Sequence, residues 1–137
     1  TDSHVDILAR FCSPDTIAYM QCTDTEDPHY GPLSAMEEQL RGFRTLDGKP
    51  YRLVPLPLPE PLYLGDYRLP ASYANFLIVN GGVLLPGTGS PLDEVVRMRL
   101  QEVFPDREVV VIDCRALLSG HGSLHCVTMQ FPEGYIR

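Results

Sequence analysis

Apolar positions along this chain fall into two alternating registers, and the order of those registers repeats. Val5 to Cys12 and Thr16 to Cys22 read as strands joined by a Ser13-Pro14-Asp15 turn. Leu33, Met36, Leu40 and Phe43 then recur at spacings of three and four, which predicts an amphipathic helix from Leu33 to Leu46. Tyr51 to Leu56 returns as a strand. The second half runs through the same order. Phe76 to Val79 and Val83 to Leu85 flank Asn80-Gly81-Gly82, a hairpin signal. A helix follows, with Ser90 as N-cap, Pro91 at its first position and Asp93 completing a capping box. Its expected core stripe is Val95, Val96, Leu100 and Val103, and Phe104-Pro105 ends it. Val109 to Ile112 and Leu124 to Met129 are the last predicted strands.

The expected architecture is therefore α/β, with two β-β-α-β units in one domain. Unit one covers about 1–57, a proline-rich connector about 55–70, and unit two about 71–137. Prolines at alternate positions from Pro55 to Pro61 cannot donate to a sheet ladder, so most of that stretch is expected as extended loop. It could also serve as a polyproline ligand for an SH3-type domain, but a connector explains it fully.

Composition narrows the class without deciding the chemistry. At 137 residues the chain can bury a sizeable core. A net charge of −7 argues against nucleic acid or an anionic membrane as partner and suits a small cationic substrate. No apolar run approaches the roughly 20 residues that span a bilayer. The four cysteines, Cys12, Cys22, Cys114 and Cys126, form no C-x-x-C pair, and three sit in or beside apolar runs. A reducing, cytoplasmic setting is expected, with no zinc-finger site. Because the chain opens on Thr1 and reaches a dense polar motif at once, it reads as a fragment of a longer protein.

Two clusters at opposite ends carry candidate chemistry. The run Gly120-His121-Gly122-Ser123-Leu124-His125-Cys126-Val127-Thr128 sets a cysteine in a glycine-lined loop at a predicted strand start. In Asp2-Ser3-His4-Val5-Asp6, strand alternation would put His4 and Asp6 on one face. A thiol, an imidazole and a carboxylate suffice for covalent attack on a carbon centre. On a regular strand His125 would face away from Cys126, as a structural or supporting hydrogen-bonding residue. His29 is expected to be solvated, Tyr73 to pack, and Asn80 to serve turn geometry.

The stretch Leu69-Pro-Ala-Ser-Tyr-Ala-Asn-Phe-Leu-Ile-Val-Asn-Gly-Gly-Val83, with the His-Cys loop and His4-Val5-Asp6, closely resembles the agmatine deiminase family. That branch of guanidino-group-modifying enzymes also includes bacterial peptidylarginine deiminases. The resemblance implies a five-bladed, pentein-like α/β propeller, of which this chain would supply about two blades. It implies Cys126 as nucleophile, His4 as general acid and base, and Asp6 as a carboxylate holding the guanidinium. Asn75 and Gly122 are expected beside the substrate. Agmatine is the first expected substrate, with free or peptidyl arginine as the alternative, and neither a metal nor an organic cofactor is implied. The family has glycine where Ser3 and His121 stand and glutamine where Met129 stands. Its second guanidinium-binding carboxylate lies in a tryptophan-containing N-terminal motif, and this chain has no tryptophan. A catalytically silent module that self-associates through open sheet edges is the competing reading.

Overall fold

The computed structural model describes residues 4–135. Ala9–Ser13 (β1) and Thr16–Gln21 (β2) pair antiparallel, and after helix Tyr30–Gly42 (α1) the chain returns as Arg52–Pro57 (β3), parallel to β2. A two-stranded hairpin follows, Tyr63–Leu64 (β4) and Tyr67–Arg68 (β5). Leu77–Val79 (β6) and Gly82–Gly87 (β7) then pair antiparallel, helix Leu92–Val103 (α2) crosses over, and Glu108–Asp113 (β8) lies parallel to β7. The two sheets, β1-β2-β3 and β6-β7-β8, thus share one mixed topology, and the expected repeat is present. A short helix, Arg115–Leu118 (α3), leads toward the C-terminal loop. Among the described residues, no helix is long and apolar enough to cross a membrane.

Burial shows why this pattern folds. Strand β2 has five consecutive buried residues, because both of its faces are covered. Ala18 and Met20 join Val54, Leu56, Tyr73, Phe76, Val83, Leu85, Val96 and Leu100 in a core shared by both units. Ile17 and Tyr19, on the alternate face, meet Leu40 of α1. Helix α2 ties the units together, since the Arg99 guanidinium donates to the Pro55 carbonyl.

Strand β3 runs one residue past its expected end at Leu56, so Pro57 as well as Pro55 lies within it. The ladder explains this. Arg52 N–H donates to Asp15 and Leu58 N–H to Gln21, so even-numbered residues face β2 and the prolines face outward from an edge strand. An edge proline costs no ladder bond and blocks further pairing there.

Several local expectations shift. Helix α1 begins at Tyr30 and ends at Gly42, and Phe43 is already extended, leaving Leu46 fully exposed. In α2 the buried stripe is Val96 and Leu100 with Leu92 and Val103 beside it, while Val95 faces solvent. Leu92, Val96, Leu100 and Val103 follow spacings of four, four and three, and Val95 sits about 100° off that line. The capping box is also rearranged. Ser90 Oγ accepts from Leu92 N–H, but the Asp93 carboxylate reaches past Ser90 to Thr88 N–H, Gly89 N–H and the Tyr73 hydroxyl.

Candidate functional site

Both candidate clusters lie on 3-10 turns, where the sequence pattern predicted strands. The reason is a buried amide between them. Asn75 Oδ1 accepts N–H bonds from both His125 (3.0 Å) and Cys126 (3.4 Å). Successive N–H groups of a strand point in opposite directions, so one acceptor can collect two neighbours only if the backbone coils. Val127 N–H to Ser123 O and Thr128 N–H to His125 O complete that coil. At the other end, Leu8 N–H bonds Val5 O, Ser72 Oγ donates to Ile7 O, and Asn75 Nδ2 to Asp6 O.

Asp6 is the meeting point. Its Oδ2 accepts from Asn75 Nδ2 at 3.1 Å and from the Cys126 thiol at 3.6 Å, and lies 2.7 Å from His125 Nδ1. Asn75 Nδ2 also lies 3.3 Å from Cys126 Sγ. Four side chains from three sequence regions therefore touch one another. Burial opposes ionisation of Asp6, but hydrogen bonds from His125, Asn75 and Cys126 and the charge of His125 outweigh it and hold the carboxyl below its usual range. Asp6 Oδ1 is buried and has no hydrogen-bond partner among the described residues. Such an acceptor is costly unless something donates to it.

The cleft over this cluster has a volume of about 460 Å³. His4, Asp6, Gly122, His125 and Cys126 all line it, so the predicted residues share one space despite the loss of strand alternation. Cys126 is the exposed cysteine of four free thiols. Gly122 has a reason to lack a side chain, because a Cβ there would stand 3.1 Å from Cys126 Cβ. Asn75 is placed differently from the expectation of substrate contact. It is 0% exposed and its amide is spent on protein partners, so it ties the ends together from beneath. His125 does support the site through hydrogen bonding, and it also reaches the cleft itself. Ser3 lies outside the described residues. His29 is hydrogen-bonded to Asp27 through Nδ1, not simply solvated.

Arg10 escaped the sequence reading. Its guanidinium donates to the Phe76 carbonyl (2.9 Å) and lies 5.1 Å from the Phe76 ring centroid. Burial lowers its pKa, opposed by the negative charges of Asp6, Cys12 and Cys126. The available signal was a lone cation in the apolar run from Val5 to Cys12. Among the described residues, no group of three or more His, Cys, Asp or Glu side chains is arranged to hold a metal ion.

Residues 1–132 match the family model of Porphyromonas-type peptidyl-arginine deiminase. Agmatine deiminase of Stutzerimonas stutzeri is 35% identical over the whole chain, which covers 42% of that enzyme. A Porphyromonas gingivalis protein assigned provisionally as an arginine deiminase superposes with TM-score 0.97 at 58% identity, covering all of this chain and 40% of the other. Agmatine deiminase of C. jejuni gives TM-score 0.85 at 40% identity over 91% of this chain and 38% of its own, and a variant of it has been solved with substrate bound. The chain thus spans about two fifths of the length of these relatives. It belongs to the Porphyromonas-type peptidyl-arginine deiminase family.

Proposed function

We propose that this chain carries the nucleophile-bearing part of a guanidine-deiminating hydrolase that converts agmatine and water to N-carbamoylputrescine and ammonia. The observation that carries this reading is the 3.6 Å approach of Cys126 Sγ to Asp6 Oδ2 across most of the chain, with Asn75 bonded to both. Asp6 supplies an anionic carboxylate beside Cys126 for a planar cation.

In this reading the Cys126 thiolate attacks the guanidinium carbon. The C–N bond to the departing nitrogen breaks, His4 supplies the proton, and ammonia leaves. The remaining carbon is held as an S-linked amidino intermediate. His4 then takes a proton from water, the hydroxide attacks that carbon, and the C–S bond breaks to return the sulfur and release the ureido product. The exposure of His4 on the same cleft supports its part.

The two repeated units are read as part of a larger α/β propeller. Exposed Val5, Phe11 and Phe43 beside Asp6, and exposed Val79, Met129 and Phe131 beside β6, are faces that further units would cover. Four free cysteines support a cytoplasmic setting. The test is a colorimetric assay for ureido product from agmatine, with the chain alone and with a polypeptide matching the relatives' remaining length. Product is expected in at least one arm and none from Cys126→Ala. Turnover surviving that substitution, or no product in either arm, would contradict the proposal.

A further inference from the structure

We propose that His121 is a specificity-determining residue, an aromatic wall of the cleft against which the alkyl arm of a guanidino substrate lies. The inference rests on the guanidine reading of this site. Three observations carry it together.

The first is a backbone cost. His121 has φ 65°, and it holds this position apart from glycine among all described residues with positive φ. Its N–H bonds Leu118 O across Ser119 and Gly120, in the turn that follows α3. That turn holds the backbone of His121 in place, but nothing in it calls for an imidazole. Gly120 and Gly122 stand on either side, and a non-glycine residue in this region costs roughly 1 kcal/mol.

The second is position. Gly120, His121 and Gly122 all line the cleft over Cys126, and of these three only His121 has a side chain to touch a ligand. The third is orientation. The Tyr67 ring, on the β4–β5 hairpin, meets the imidazole edge-on, with centroids 4.8 Å apart and planes at 67°. The hairpin therefore backs the wall and restricts the ring.

Asp6 is the sole carboxylate on the cleft among the described residues. With the guanidinium carbon at Cys126 and its cation at Asp6, an arm that runs along the Gly120–Gly122 side of the cleft meets the His121 imidazole. That contact favours substrates with an unbranched methylene arm over bare guanidinium analogues.

Covalent labelling tests this without requiring turnover. The full chain is treated with 2-chloroacetamidine, its N-butyl derivative and neutral 2-chloroacetamide, in each of which the thiolate displaces chloride. Modification of Cys126 is followed by peptide mass spectrometry, with rates normalised to free glutathione. The butyl amidine should label wild type roughly fivefold faster than the bare amidine. His121→Gly, which relieves the backbone cost, should reduce that ratio to near one without slowing the bare amidine. His121→Phe should keep most of it. An equal rate for both amidines in wild type, a ratio undiminished in His121→Gly, or its loss in His121→Phe would overturn the proposal. The bare amidine against neutral chloroacetamide reports separately on the cation-holding reading. If that preference is absent in wild type, the guanidine assignment fails, whatever the arm comparison gives.

Discussion

The two β-β-α-β units and the two short turns that hold the candidate site are built by different forces. In the units, apolar residues at strand or helix spacing bury themselves, and each element is stabilised largely by its own pattern. In the turns at Val5–Ile7 and His125–Val127 no residue is buried, and the backbone follows polar ties to Asn75 and, at the first turn, Ser72. Local patterning can be altered in the turns at little cost, whereas their long-range ties cannot.

The largest effect should come from breaking the scaffold. Leu85 is 0% exposed in the core shared by both units. Leu85→Ala should lower unfolding free energy by about 2–5 kcal/mol, read as a fall in the urea midpoint. A loss under about 1 kcal/mol would mean that the units are not packed on one core.

Asn75→Ala should cost less, about 1–3 kcal/mol, since it strands part-buried N–H groups at the turn and leaves Asp6 short of a donor. Its signature should be local. Amide exchange at His125 and Cys126 should accelerate, with α1 and α2 retaining their protection. Uniform acceleration over the whole chain would erase the distinction between scaffold and tie.

An ion pair outside the site tests whether polar ties also matter for the scaffold. Burial opposes ionisation of Asp27, but bonds from His29 and Arg68 bring its pKa down to about 2 from 3.8. A depressed carboxyl contributes stability above the unfolded pKa and loses it as pH falls through the folded value. Stability should therefore drop between about pH 4 and pH 2, and Asp27→Asn should flatten part of that drop. An unchanged profile in the variant would remove Asp27 from the acid response. Smallest of all, His121→Gly should raise stability by less than about 1 kcal/mol, because release of the left-handed strain is partly offset by glycine's larger chain entropy. A clear loss of stability would show that the imidazole's contact with Tyr67 outweighs the strain.

This contrast also explains what was legible in the sequence. Both units, their order and most strand limits follow from periodicity, because burial and pattern coincide there. Pro57 misled because proline forbids a ladder bond only on the inward side, and which side is inward depends on β2. Leu124 to Met129 misled for a related reason. Its apolar residues suit a strand, but the acceptor that coils it stands some fifty residues earlier. Residue types at the site were readable from chemistry and from resemblance to a family. The role of Asn75 as a tie was not, since one asparagine in an apolar run carries no mark of what it will bond.

The most direct test is NMR of the Asn75 side-chain amide. The account predicts one slowly exchanging NH₂ pair, shifted by Asp6→Asn and independently by Cys126→Ala. An amide that exchanges at the solvent rate, or that responds to only one of the two substitutions, would contradict it.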